Sequence, residues 1–376
     1  MSEKVRVHFP YLCGMITEQK VLEALGNVDD PDLKRDIVSL GMVKDLKIEG
    51  NKVSFSVELT TPACPMKEMI KNACLNAVKH FVSKDAEVAI NMTARVRSVQ
   101  TTGKQKIEGV EHIIAIASGK GGVGKSTVAS NLAVSLARQG AAVGIIDADI
   151  YGPSIPMMFD VLNEKPGQVV LDGKNKMIPV EAYGVKILSI GFFASPSQAI
   201  IWRGPMASKA LMQLFQDAHW GKLDYLIVDL PPGTGDIHMS LAGQVPLTGV
   251  VMVTTPQQVA LSDARKGAAM FRHEHIKVPV LGVIENMSWF EPVEFPGHRY
   301  HLFGNGGGLQ LAEELKVPLL GQIPLVQGIC ESGDAGRPVV FQEGSMLSDI
   351  FTLAAGKIAQ ALAIRTSASE FTRVAE

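Results

Sequence analysis

The stretch Ser118-Gly119-Lys120-Gly121-Gly122-Val123-Gly124-Lys125-Ser126-Thr127 decides the fold, because residues 119–126 satisfy the pattern G-x-x-x-x-G-K-[ST]. An apolar run at 113–117 precedes it and predicts a buried strand, and apolar residues at helical spacing follow it. Glycines let backbone N–H groups wrap phosphates, and the next helix adds the positive end of its dipole. The order of strand, loop and helix therefore predicts a nucleotide triphosphatase.

The loop supplies most of the predicted nucleotide-binding residues, namely Gly119, Lys120, Gly121, Gly122, Val123, Gly124, Lys125, Ser126 and Thr127. Lys125 is expected to reach the outer phosphates of ATP and to act in catalysis by offsetting their charge, while Ser126 can ligate Mg²⁺. Lys120 is one lysine more than the pattern needs. Two interpretations stay open for it: a solvated loop lysine, or a catalytic side chain that reaches the nucleotide of a second subunit.

Composition narrows the class of protein. The chain has 376 residues, a net charge of -2 and four cysteines, which is typical of a globular protein without a disulfide framework. A nucleic-acid binder dominated by phosphate contacts would be basic, so no nucleic-acid partner is expected. No signal pattern starts the chain, and its apolar runs are too short for a bilayer. We expect a cytoplasmic protein without stable membrane insertion.

The order of predicted elements indicates an α/β protein with two domains. Residues 1–92 read as a small α/β domain, with helices at 17–25 and 65–82 and strands at 43–49, 53–59 and 88–92. Residues 93–112 are polar and aperiodic, which favours a linker. Strands at 142–147, 225–229, 250–254, 280–286 and 319–323 then alternate with helices over 113–376. This predicts a P-loop NTPase domain with a doubly wound, mainly parallel sheet.

Three aspartates close predicted strands at the edge where the glycine loop lies. Asp229 ends one strand and suits the Mg²⁺ carboxylate of a P-loop enzyme. Asp147 and Asp149 end another, and Asp149, one step further out, is the better candidate for orienting the attacking water. Asp147 would then assist Mg²⁺. The sequence alone does not separate the roles of these two carboxylates.

The loop, Asp147 to Ser154 and Asp229 to Asp236 together resemble the deviant-Walker ATPases, specifically the Mrp/ApbC family of iron-sulfur cluster carriers. Glu285-Asn286-Met287-Ser288 and residues 333–338 match the same family. The resemblance implies a homodimer with ATP between the subunits, Lys120 acting in trans and Asn286 contacting adenine. It further implies ATP hydrolysis coupled to the transfer of iron-sulfur clusters from scaffold proteins to apoproteins.

The N-terminal domain resembles the small domain fused to many members of that family, through residues 30–32, 37–43 and 59–65. Cys64 is predicted at a helix start, where the dipole favours a thiolate, so it is a candidate ligand for an iron-sulfur cluster. The alternative is a buried apolar cysteine, which is the interpretation favoured for Cys74. Cys13 and Cys330 have no assigned role.

One family feature is missing. Many members carry C-x-x-C shortly after Asn-Met-Ser, whereas residues 289–301 here contain no cysteine, which puts a bridging cluster in doubt. His298 and His301 are read as solvated imidazoles rather than metal ligands. Two alternatives therefore remain: a MinD/ParA-like spatial-regulation ATPase, and an ATP-dependent adaptor without its own cluster. The amphipathic tail at 346–365 is not notably cationic, which favours packing against the sheet over membrane binding.

Overall fold

The computed structural model describes residues 16–98, 104, 106–193, 204–292, 294–295, 297–342 and 344–374, which divide into two compact units. The smaller unit runs to Thr60 and resumes over Pro65–Arg95, whereas the larger takes Thr61–Cys64 and the chain from Val96 onward. Much of the polar centre of the predicted linker, 99–103 and 105, lies outside the described residues, as does Cys13.

The smaller unit combines two helices with short strands. Its elements are α1 (Glu18–Leu25), β1 (Asp29–Asp30), β2 (Arg35–Asp36), β3 (Val43–Glu49), β4 (Lys52–Leu59), α2 (Lys67–Phe81) and β5 (Glu87–Ala94). The Thr17 hydroxyl caps α1 by accepting from the Lys20 amide. Gly50 turns between β3 and β4 at φ +62°, which a glycine adopts without strain. β3 and β4 pair antiparallel and β4 and β5 parallel, so the predicted hairpin is confirmed.

The larger unit alternates strands and helices. Its elements are β6 (Val110–Ala117), α3 (Lys125–Arg138), β7 (Val143–Asp147), α4 (Ile155–Met158), β8 (Gly167–Leu171), β9 (Lys174–Ile178), β10 (Val180–Ala182), β11 (Val185–Ser189), α5 (Gly204–Gln216), β12 (Leu223–Asp229), α6 (Asp236–Gln244), β13 (Gly249–Thr254), α7 (Gln258–Arg272), β14 (Val280–Phe290), α8 (Gly307–Leu315), β15 (Leu319–Leu325), α9 (Gln327–Asp334) and α10 (Met346–Val374), with single 3₁₀ turns at Ile190–Phe192 and Val339–Phe341.

In the described part of the chain, the main sheet has eight strands in the order β10-β11-β7-β12-β6-β13-β14-β15. All neighbours are parallel except β10 and β11. Alternate residues of β6 enter different cores: Ile114 and Ile116 pack with α3 and α10, while Ile113 and Ala115 pack with α5 and α7. The predicted doubly wound, mainly parallel sheet is confirmed.

Sequence reasoning missed one edge of this sheet. β11 pairs in parallel with β7, and β10 adds an antiparallel edge, but neither was predicted. The Lys186 ammonium group in β11 donates to the Trp220 carbonyl at 2.7 Å. This contact explains how a strand with a charged residue in its centre joins the sheet.

The last helix, α10, packs against α3, β15 and the 3₁₀ turn Val339–Phe341. Its buried face includes Phe351, Ala355, Ile358 and Leu362, so the predicted packing of the tail on the sheet is confirmed. Within α10, Met346–Ala368 is long and apolar enough to cross a membrane by length and composition. Half of its most apolar window is buried inside the fold, as in a core helix.

Candidate nucleotide site

The glycine loop joins β6 to α3 and is built by close approaches that only glycine permits. A Cβ on Gly119 would collide with the backbone of Asp263 in α7, and one on Gly124 would collide with the Asn286 side chain. Gly122 and Gly124 have φ of +80° and +78°, a region that other residues rarely adopt. Lys120, Gly121 and Gly122 are exposed. The loop therefore has a fixed base and a backbone surface open to a ligand.

Lys125, at the first helical position of α3, forms a buried ion pair with Asp229 at the end of β12. The distance from Nζ to Oδ1 is 2.6 Å, and the side chains are 7% and 0% exposed. Asp229 Oδ2 is also buried but has no hydrogen-bond partner among the residues that the structure describes. Ser126 Oγ lies 3.2 Å from the same ammonium group. A buried carboxylate oxygen with a lone pair to spare, next to a hydroxyl, fits the oxygen ligands of Mg²⁺ or of its bound water.

The ends of three adjacent strands place Ser189, Asp147 and Asp229 in one row, because Asp147 pairs in register with both other residues. Asp147 Oδ2 accepts from the Ser189 hydroxyl at 3.0 Å and from the Ile155 amide at 3.1 Å. Burial, together with the nearby charge of Asp229, raises the pKa of Asp147 to about 7. Asp147 therefore links the end of β7 to Ser189 and to the start of α4 through hydrogen bonds within the protein.

Asp149 lies two residues further along and is only partly buried. Its amide donates to Asp147 Oδ1 at 3.2 Å, which ties the two aspartates together. Burial raises the pKa of Asp149 above its usual range, while the charge of Lys125 acts in the opposite direction. Its carboxylate is thus the more accessible of the two and lies within electrostatic reach of Lys125.

The turn after Asp229 packs beside the loop. The Gly233 amide donates to the Ser118 carbonyl at 3.0 Å, and Pro232 lies next to Gly121. His238 of α6 is 2% exposed, and its Nε2 lies 2.9 Å from the Pro231 carbonyl. Burial lowers the pKa of His238, so the neutral imidazole donates this bond. Sequence reasoning missed His238, because its contact depends on how the turn folds back onto α6.

Asn286, at the far end of the loop, is 7% exposed and donates from Nδ2 to the Val123 carbonyl at 2.9 Å. Its amide nitrogen therefore supports the loop itself. A cavity of about 300 Å³ opens beside Gly124, Thr127 and Asn286. Its far wall is formed by Leu325 and by Cys330 of α9, which the sequence did not assign to the site. This cavity offers a mostly apolar space next to the phosphate loop.

The described cysteines lie in different surroundings. Cys74 is fully buried, and burial raises the pKa of its thiol to about 11, so its predicted core position is confirmed. Cys330 is exposed, and Cys64 is partly buried. The helix predicted over 65–82 begins at Lys67, so Cys64, expected at its start, precedes the first helical turn. Cys64 also belongs to the larger unit, since the neighbouring Thr61 hydroxyl lies 2.8 Å from the Tyr225 hydroxyl.

The segment without cysteines, 289–301, begins within β14, and its positions 293 and 296 lie outside the described residues. Phe290 pairs with Tyr300, and the Arg299 guanidinium lies 4.4 Å above the Trp289 ring. His301 is exposed, with Nδ1 3.1 Å from the Ser288 carbonyl, and His298 is also exposed. Among the described residues, no group of three or more His, Cys, Asp or Glu side chains could hold a metal ion.

Comparison with known proteins gives consistent results. Residues 109–360 match the family described as NUBPL iron-transfer P-loop NTPase, and residues 18–90 match the family described as iron-sulfur cluster assembly protein. The iron-sulfur cluster carrier protein of Synechocystis sp. is 46% identical over 360 residues, covering 92% of this chain and 99% of that protein. The protein of the same name from Escherichia coli is 42% identical, covering 91% of each chain.

Among solved structures, a nucleotide-binding protein from Archaeoglobus fulgidus in complex with ADP is similar to this chain. It has 37% sequence identity and a TM-score of 0.52, and the match covers 61% of this chain and 88% of that protein. The sequence matches span both units and nearly the full length of the bacterial relatives. The chain therefore belongs to the family of iron-sulfur cluster carrier proteins, which are P-loop NTPases of the iron-transfer type.

Proposed function

We propose that the chain binds ATP with Mg²⁺ at the glycine loop and hydrolyses it to ADP and phosphate. The buried Lys125–Asp229 pair carries this proposal, because it holds an ammonium group and a partner-free carboxylate oxygen beside an open phosphate loop. Replacing Lys125 with alanine should abolish phosphate release in a steady-state assay, since an apolar side chain cannot offset phosphate charge. Wild-type turnover in the purified variant would remove the loop as the site.

The polar residues around the loop have distinct proposed roles. Ser126 and Asp229 would hold Mg²⁺, which when bound neutralises charge on the outer phosphates. Asp149 would orient the attacking water, because its carboxylate is the more accessible one. Asp147 would act indirectly, since its oxygens already accept from Ser189 and Ile155. Asn286 would hold the loop in place through its bond to the Val123 carbonyl, at the rim of the cavity of about 300 Å³. Adenine would lie in that cavity.

Lys120 is proposed to act across a homodimer on the nucleotide of the partner chain. Its side chain is exposed at the outer rim of the loop, where a second subunit could approach. Lys120→Ala and Asp149→Ala chains should each be inactive alone. Mixing them should restore roughly a quarter of wild-type turnover, because half of the dimers are mixed and each has one complete site. Mixed dimers without activity would exclude the role in trans.

We further propose that the protein acts in the cytoplasm and delivers iron-sulfur clusters, as substrates, from scaffold proteins to apoproteins. Membership of the carrier family supports this proposal, and it favours delivery over a MinD/ParA-like spatial role. Cys64 is the proposed thiol contact, because thiolates are the usual ligands of these clusters. A single thiol per chain would need further ligands, which a homodimer can provide.

Anaerobic reconstitution followed by iron and sulfide analysis tests the thiol. Cys64→Ser should lower the bound iron and sulfide, whereas Cys330→Ser is the matched control, since that cysteine is exposed in the same unit. ATP turnover should remain in the Cys64→Ser variant, because Cys64 is not among the residues that line the cavity beside the loop. If Cys64→Ser bound as much iron as wild type, Cys64 would not be a ligand. If wild type bound none, the ATP-dependent adaptor without its own cluster would become the better hypothesis.

A further inference from the structure

A second cavity, of about 640 Å³, opens at the amino ends of β14 and β15. Val280 and Leu319, the first residues of these strands, are part of its lining. The glycine loop follows the carboxyl end of β6, and the neighbouring strands run parallel to it. The cavity therefore lies at the edge of the sheet opposite the nucleotide site. Its volume is typical of sites that bind ligands.

The side walls of this cavity come from three helices. Lys357, Ile364 and Arg365 line it from one face of α10, while Arg272 ends α7 and Lys316 follows α8. The Arg272 guanidinium donates to the Leu315 carbonyl at 2.5 Å, which fixes its orientation. Four cationic residues thus line one cavity, two of them from α10, one from α7 and one from the end of α8.

The charge of this group is not neutralised locally. No aspartate or glutamate occurs among the described residues that line the cavity. Within the described part of the chain, none of the four cations forms an ion pair. The nearby Glu314 carboxylate already accepts two bonds from Arg265, at 2.6 and 2.9 Å. Because the whole chain carries a net charge of -2, this concentration of positive charge is a local feature.

The floor of the cavity is apolar and includes Pro279, Leu281, Pro318 and Leu319. A small inorganic anion would satisfy the cations but leave this floor uncovered. A flat membrane surface would not fill a concave space. A short peptide with carboxylates on both sides of an apolar side chain fits both features, and guanidinium groups bind carboxylates with two parallel hydrogen bonds.

We propose that this cavity docks an acidic segment of a protein partner, with an apolar side chain on the floor and carboxylates against the four cations. The line from Lys357 to Arg365 along α10 is about 12 Å long, which matches roughly four residues of extended peptide. Since the site lies at the opposite edge from the loop, a docked partner leaves the nucleotide site accessible. The proposal adds a partner site to the function given above and does not depend on cluster binding.

Fluorescence anisotropy of the full chain tests the proposal with a fluorescein-labelled Glu-Glu-Leu-Leu-Glu-Glu peptide as the probe. The double variant Lys357→Glu/Arg365→Glu should weaken binding at least about tenfold, because two attractive pairs become repulsive. The milder Lys357→Gln/Arg365→Gln variant should weaken it less. Lys174→Glu, on exposed β9 outside the cavity, is the matched control and should stay within about twofold of wild type. ATP turnover should persist in all of them.

Three results would overturn the proposal. The first is equal binding of the labelled peptide to wild type and to both double variants. The second is equal binding of a Gln-Gln-Leu-Leu-Gln-Gln peptide, which would show that carboxylates are not recognised. The third is a combination of two observations. The labelled peptide does not bind, and the wild-type protein sediments with vesicles of phosphatidylcholine and phosphatidylserine whereas the charge-reversed variant does not. That outcome would identify the cations as a membrane contact instead.

Discussion

Replacing Lys125 with methionine should destabilise the protein even without nucleotide. Methionine keeps most of the length of the side chain but removes the ammonium group 2.6 Å from Asp229 Oδ1. At that distance, an effective dielectric constant of about 20 gives an attraction of ~6 kcal/mol. Part of this only offsets the desolvation of the two ions, but its loss leaves Asp229 fully buried and unpaired. We therefore expect the free energy of unfolding to fall by about 3–5 kcal/mol.

The double variant Lys125→Met/Asp229→Asn separates the ion pair from the shape of the site. It removes both charges, so no uncompensated ion remains buried, and most of the lost stability should return. Asp229→Asn alone should also destabilise, because it leaves the buried ammonium group of Lys125 without the carboxylate that contacts it. None of the three variants should hydrolyse ATP, so stability and activity should separate in the double variant.

Urea unfolding in EDTA, followed by tryptophan fluorescence, measures these differences. Trp220 and Trp289 are both buried in the larger unit, so their emission reports on the unit that contains the pair. A double-mutant cycle should give a coupling energy of at least ~1 kcal/mol. The reasoning would be refuted by a Lys125→Met protein as stable as wild type, or by effects of the two single changes that simply add.

Two further predictions concern buried histidines. Burial lowers the pKa of His112 from 6.5 to about 4, so the fold should lose ~3 kcal/mol as pH falls from 6.5 to 4. His112→Phe keeps a ring beside Tyr225 and should flatten the urea stability profile over that range; a parallel profile would exclude His112 as the cause. His238→Leu removes the donor to the Pro231 carbonyl and should lower kcat for ATP roughly fivefold, whereas His238→Gln should recover part of it. Unchanged kcat in the leucine variant would show that this bond does not support the turn.

Sequence reasoning predicted those elements in which one strong local signal dominates. The strands that line the nucleotide edge are nearly continuous apolar runs, as expected for strands buried on both faces, so their positions were found to within a few residues. β11 was missed because Lys186 interrupts its apolar run, and the Trp220 carbonyl that accepts from Lys186 is distant in the sequence. The first residue of α2 was predicted two positions too early, because the proline after Cys64 is typical of a helix start, whereas the helix begins at Lys67.

The candidate site shows the same division between local and distant signals. The glycine loop and the strand-end aspartates follow from residue types at short spacing, so they could be named from the sequence. The bond from Asn286 to Val123 joins residues 163 positions apart, and the proximity of Asp147 to Asp229 follows from strand order. Neither contact has a local signal. Asn286 and Val123 are far apart in the sequence, and strands β7 and β12 are neighbours in the sheet but distant in the sequence.

The row of strand ends explains why this site suits a charged ligand. Asp147 and Asp229 place two carboxyl groups in a buried edge, and their mutual repulsion contributes to the raised pKa of Asp147. Lys125 compensates the charge of Asp229, yet Asp229 Oδ2 has no hydrogen-bond partner in the described part of the chain. A fold optimised only for stability would avoid such an arrangement, since unpaired buried carboxylate oxygens cost free energy. Asp229 Oδ2 would be a ligand for the proposed Mg²⁺ or for its bound water, and the charge of the cation would then offset part of this cost.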